Sequence, residues 1–257
     1  EKWGPDAGAW VWKYSLSEHK YIIAADVARG DASDYSAFQC VDITESEQVC
    51  EFKGKIPPDQ FAYLLAEAGK RYNEALICVE NNTYGYATIM KLVEIGYSNL
   101  YFKSEKDKYN ALYSNKTPEI SKIGFQTNAT SRGQILTKLE EVVRLRSVDF
   151  YSGRLFDELK TFIWKGNKAQ AQKGKNDDLV ISAAIATWLF EADPNRNKSS
   201  VDVNSAMLSA FAVNKKEQPG RSTSPWKKGF NPYGAYQWPA MPASGSADGL
   251  DYGWLMQ

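Results

Sequence analysis

The stretch "YIIAADVARGDASDYSAF", residues 21–38, decides how the chain is read. An apolar run from Tyr21 to Ala25 ends in a carboxylate, Asp26. A loop of Gly, Ala, Ser and Asp follows, and then a second strand-like run, "YSAFQCVDIT". Short β-prone runs bounded by small-residue loops read as strands. An acid where a buried strand emerges is either a turn former or a ligand, and the surrounding sequence must separate the two.

A third strand-like run, "EQVCEFKGKI", follows after a short turn, which favours antiparallel neighbours. "PPDQFAYLLAEAGKRYN" has a Pro-Pro entry and repeats Phe61, Leu64, Leu65 and Ala68 at helical spacing. "EALICVE" is short and apolar, as expected of a strand covered on both faces. "TYGYATIMKLVEIGY" predicts a second helix closed by Gly96, and "NLYFKSE" a further strand. The order β-β-β-α-β-α-β predicts an α/β fold: a mixed sheet of five or more strands, three antiparallel and then parallel additions, flanked by helices.

An irregular charged connection spans 103–128. Beyond it, "TSRGQILTKLEEVVRL" carries a helical stripe of Ile135, Leu139, Val142 and Val143 behind a Thr/Ser cap. "FYSGRLFDELKTFIWKGNKAQAQKGK" predicts a short helix and a basic hairpin, and "NDDLVISAAIATWLFEAD" a buried helix capped by Asn176. Residues 1–20 are expected to be an edge strand or a leader from an upstream domain. Residues 21–194 form the expected domain. From 195 to 257, Ser, Gly and Pro surround scattered Trp226, Tyr233 and Trp238 with no sustained period, predicting a flexible tail.

The chain has 257 residues, with 31 Lys and Arg against 31 Asp and Glu. No global field draws nucleic acid, so any basic surface is local. Cys40, Cys50 and Cys78 lack metal-type spacing and are expected to be reduced. His19 is the only histidine, which argues against a Ser-His triad and a Cys/His zinc site. No stretch reaches the roughly 18 apolar residues of a membrane helix, so no membrane partner is expected. There is no signal-peptide pattern, and the start at Glu1 suggests a piece of a longer protein.

In the predicted sheet the first and fourth strands are parallel neighbours. That sets Asp26 beside Glu80 at the carboxyl ends, where ligand sites of open α/β sheets lie. Asp177 and Asp178 open the last helix and join them if its N-terminus lies at the same edge, and Asp34 is within reach. Clustered carboxylates repel one another unless a cation holds them. Hard ions with oxygen ligands, Mg²⁺ or Mn²⁺, suit such a cluster, and two of them would clamp a phosphodiester. Between Arg144 and Lys175, eight Lys and Arg oppose three acids. This makes Lys165, Lys168, Lys173, Lys175 and Arg154, with Arg132, candidates for holding DNA phosphate.

The motifs "AADVARGDASDYSAF", "ICVENNTYG" and "NDDLVISAAIA" together resemble the nuclease domain of the large terminase subunit of tailed bacteriophages. The resemblance covers roughly residues 20–192. It implies a ribonuclease-H-like fold and a metal-dependent endonuclease that cuts concatemeric viral double-stranded DNA during genome packaging, with little sequence preference. Asp26, Glu80 and the Asp177–Asp178 pair match the family's acidic triad, Asp178 being favoured of the pair, and Asp34 matches a recurrent acid of its first loop. The implied partners are the phage portal, the small terminase subunit and an upstream ATPase domain, in the cytoplasm of an infected bacterial host. No phosphate loop of the G-x-x-x-x-G-K-[ST] kind occurs in the chain, so the ATPase is not within it. A junction-resolvase-like nuclease and a non-catalytic DNA- or portal-docking module remain alternatives.

Overall fold

Period-two alternation sends Ile22, Ala24 and Asp26 to one side of their strand and Tyr21, Ile23 and Ala25 to the other. Both sides are apolar, so both must be covered. The computed structural model describes residues 2–3, 8–31, 34–104, 108, 119–166 and 168–192. Strands β1 (Lys2–Trp3), β2 (Ala9–Val11), β3 (Tyr21–Asp26), β4 (Ser36–Asp42) and β5 (Glu47–Gly54) are followed by α1 (Pro58–Arg71), β6 (Leu76–Val79) and α2 (Thr83–Glu94). A 3-10 turn at Ile120–Lys122 then leads to α3 (Ala129–Leu145), α4 (Gly153–Lys160), the hairpin β7 (Phe162–Lys165) and β8 (Lys168–Ala171), and α5 (Asp178–Ala192).

The main sheet has six strands in the order β1-β2-β5-β4-β3-β6. β3 pairs antiparallel with β4 and parallel with β6, as the sequence predicts. Within residues 1–20, which the sequence leaves as an edge strand or a leader, Lys2–Trp3 is the edge strand and Ala9–Val11 lies between it and β5. The strand expected over 99–105 is reduced to two isolated bridges, Leu100 to Ile77 and Phe102 to Ile123. The tail expected over 195–257 and its boundary at 194 lie outside the described residues. No described helix is long and apolar enough to cross a membrane.

One face of the sheet packs Ile23, Ala25, Phe38, Phe52, Ile77 and Val79 against α1 and α2. Phe38, Phe52 and Phe61 meet there with ring centroids 5.7–6.4 Å apart. Burying each contributes about 1.5–3 kcal/mol. The other face carries small residues, Ala24, Ala37 and Cys78, beneath α5 with its Ala183, Ala184 and Ala186. Small side chains on both surfaces let helix and sheet approach closely. α5 is buried nearly all round, which accounts for its continuous apolar run.

The loop after Asp26 is fixed to the sheet. Ala28 N–H donates to Ser36 Oγ at 3.1 Å. Gly30 has φ +93°, and a Cβ there would lie 2.6 Å from the Ile56 carbonyl oxygen, so both conformation and space call for glycine.

Candidate active site

Register builds the site. Asp26 on β3 lies opposite Ala37 on β4, and Ala37 opposite Lys53 on β5. Ala25 pairs with Val79 on β6, so Glu80, the next residue, continues the row on the far side. Glu80 N–H closes it by donating to the Ala25 carbonyl at 2.8 Å. The row reads Glu80, Asp26, Ala37, Lys53, all on the face beneath α5, and the methyl of Ala37 leaves room above the sheet. Asp178, first residue of α5, fills that room: its Oδ2 lies 3.9 Å from Lys53 Nζ.

The electrostatics follow from this crowding. Burial pushes the Asp26 carboxyl well above the usual carboxylate range, and the charges of Glu80, Asp178 and Asp177 push it further. Burial likewise raises Asp178, to about 7, aided by the charge of Glu158 and opposed by Lys53. Asp178 Oδ2 is buried without a hydrogen-bond partner. Such an atom is costly unless something else satisfies it.

Glu158, on α4, was not singled out in the sequence. Its Oε1 pairs with Lys53, and its Oε2 accepts from the N–H groups of Leu179 (2.8 Å) and Val180 (3.3 Å). These free N–H groups of α5 are therefore capped by Glu158 from another helix. No local sequence pattern reveals a donor–acceptor pair twenty-one residues apart. Lys53 likewise carries no local sequence signal: only the register places it in the row.

The remaining candidates fall into different places. Asp177 Oδ2 accepts from Arg132 Nη2 at 2.7 Å, so both are engaged with each other. Asp34 is exposed in the β3–β4 loop and is not among the acids that act most on Asp26. Lys165, Lys173 and Lys175 are exposed. Arg132, Lys173, Lys175 and Asp177 line a cleft of about 490 Å³. The side chain of Lys168 lies outside the described residues. Arg154 is placed differently from expectation. Its Nε donates to Glu51 Oε1 at 2.8 Å, its Nη2 to the Gly8 carbonyl at 3.0 Å, and its guanidinium stacks over Trp10 at 4.0 Å. Glu51 is fully buried and needs a cation, so Arg154 serves the sheet edge.

Among the described residues, no three ligand-type side chains converge on one point as they lie. Two of the acids are turned to cations, Asp178 toward Lys53 and Asp177 to Arg132. The donor set nonetheless fits a hard divalent ion: it is all oxygen, mutually repulsive, and includes an orphaned carboxylate oxygen.

This fold is found in solved structures. The large terminase nuclease of thermophilic phage G20c with bound magnesium matches at a TM-score of 0.57 and 19% identity, over 73% of this chain and 88% of that one. The same nuclease with bound zinc matches at 0.52 and 19%, over 72% and 88%. With bound cobalt the values are 0.51 and 18%, over 73% and 88%. No sequence-defined family matches the chain. The fold class is α/β with a ribonuclease-H-like mixed sheet. Within that class, the chain is similar in fold to the nuclease domain of large terminases.

Proposed function

We propose that this chain is a metal-dependent DNA endonuclease acting in viral genome packaging. The observation that carries the proposal is the row Glu80–Asp26 with Asp178 above it, acids crowded at the carboxyl edge of the sheet. Asp26, Glu80 and Asp178, with Asp177 adjacent, would hold one or two Mg²⁺ or Mn²⁺ ions, which supply Lewis acidity toward the phosphodiester. Asp26, acted on by the other three, is central to the cluster. Lys53 pairs with Glu158 and lies 3.9 Å from Asp178, adding a positive charge beside the acids. Lys173 and Lys175 line the cleft beside Asp177 and, with the exposed Lys165 of the hairpin, would hold backbone phosphates, giving little base preference. The proposed context is that of the family resembled: double-stranded viral DNA, a portal, a small terminase subunit and an ATPase domain, in the cytoplasm of an infected bacterium.

The test is cleavage of supercoiled plasmid with Mg²⁺, Mn²⁺ or EDTA, beside Asp26→Ala and Asp178→Ala. Metal-dependent nicking lost in both variants is expected. DNA retention with no cutting under either metal would replace this proposal with a docking module, and strong preference for four-way junctions would replace it with a resolvase.

A further inference from the structure

We infer that Asn82 is a positioning residue for Glu80, using one side-chain amide for two tasks; this rests on the metal-site proposal above. Its Oδ1 accepts from the N–H groups of Tyr84 (3.0 Å) and Gly85 (2.8 Å), capping α2. Two backbone donors aimed at one atom require that atom to be oxygen. The nitrogen is thereby turned to the other side, where Nδ2 donates to Glu80 Oε2 at 3.1 Å. Fixing one oxygen of Glu80 fixes the rotation of its carboxylate plane.

The backbone around the pair is equally constrained. Asn82 N–H donates to the Glu80 carbonyl at 2.9 Å. A Cβ on Gly85 would lie 1.8 Å from that same carbonyl oxygen, so the start of α2 sits directly against Glu80. Ser, Thr or Asp would cap the helix about as well as Asn. Of these four, only Asn offers an amide N–H to the acid, and Asp would instead add a further negative charge. Glu80 thus explains the choice of cap. Hydrogen-bond partners of ligating groups typically govern metal affinity by 10- to 100-fold.

Two variants separate the tasks. Asn82→Ser keeps a cap oxygen but is too short to reach Glu80; Asn82→Ala removes both functions. Thermal unfolding of the whole chain is followed in EDTA and then across a Mn²⁺ titration, since an ion bound only by the folded state raises the midpoint. In EDTA the Ser variant is expected to melt with the parent, and the Ala variant about 2–4 °C lower. The Mn²⁺ concentration giving half of the parent's stabilisation is expected to rise about tenfold or more in both variants. A Ser variant with the parent's Mn²⁺ dependence would show Asn82 to be a cap alone and overturn the inference. A parent that Mn²⁺ does not stabilise would overturn the metal-site proposal, and this inference with it.

Discussion

The β3–β4 ladder carries an acid at each end, Asp42 buried and Asp26 half-buried, and the two are treated in opposite ways. At one end Asp42 lies opposite Tyr21 on β3 and Glu47 on β5, and donors meet both of its carboxylate oxygens. Its Oδ2 bonds His19 Nδ1 at 2.7 Å, and its Oδ1 accepts from the N–H groups of Thr44 (2.8 Å) and Glu45 (3.2 Å). At the other end Asp26 lies opposite Ala37, and the groups that act on it are acids. One end is a closed turn that needs nothing further. The other is left electrically incomplete, the state expected of a place that receives a cation.

The sharpest way to break this contrast is at Asp26. Asp26→Asn is expected to reduce plasmid cleavage at least about 10³-fold. The same variant should melt higher than the parent in EDTA at pH 8. Asp26 holds its proton more tightly folded than unfolded, so its ionisation opposes folding, and the neutral amide removes that penalty. A lower melting temperature would mean that Asp26 is already satisfied, like Asp42. Asp178 gives a related signature: with its folded value near 7, the metal-free protein should lose stability as pH rises from about 4 to 7, and Asp178→Asn should flatten that slope.

Smaller effects sharpen the comparison. Glu158→Ala strips Lys53 of its partner and uncaps α5, and should cost about 3 kcal/mol in urea unfolding. Gly85→Ala drives a methyl into the Glu80 carbonyl and should cost about 2 kcal/mol. The smallest effect belongs to the closed end. The hydrogen bond that His19 donates to the Asp42 carboxylate raises the imidazole above its usual 6.5. Its contribution to stability is therefore complete below about pH 6.5 and fades as pH rises through the folded value. As the only histidine, His19 gives a single NMR titration, whose midpoint should fall back toward 6.5 in Asp42→Asn.

The parts of the site set by chain order were legible in the sequence. Apolar runs ending in Asp26 and Glu80, and the topology making those runs parallel neighbours, bring the two acids together. Asp178 follows from its place at the start of a buried helix. The groups that answer these acids were not legible, because they come from register and from distant elements. Lys53 enters the row through pairing across β4. Glu158 caps a helix from outside it, and Arg132 reaches Asp177 from α3. A charge count also could not distinguish Lys175, exposed beside the cleft, from Arg154, committed to Glu51.

The three cysteines carry a practical consequence. Cys40, Cys50 and Cys78 are free and buried in the sheet, and burial pushes all three thiols up, Cys50 to about 12. It is the thiolate that attacks maleimide, so the folded protein should label very slowly at neutral pH. A single cysteine introduced at the exposed Trp164 of the hairpin would then be the one fast-reacting position. A fluorophore there could report, in the unmodified cysteine background, when the hairpin meets a strand of DNA.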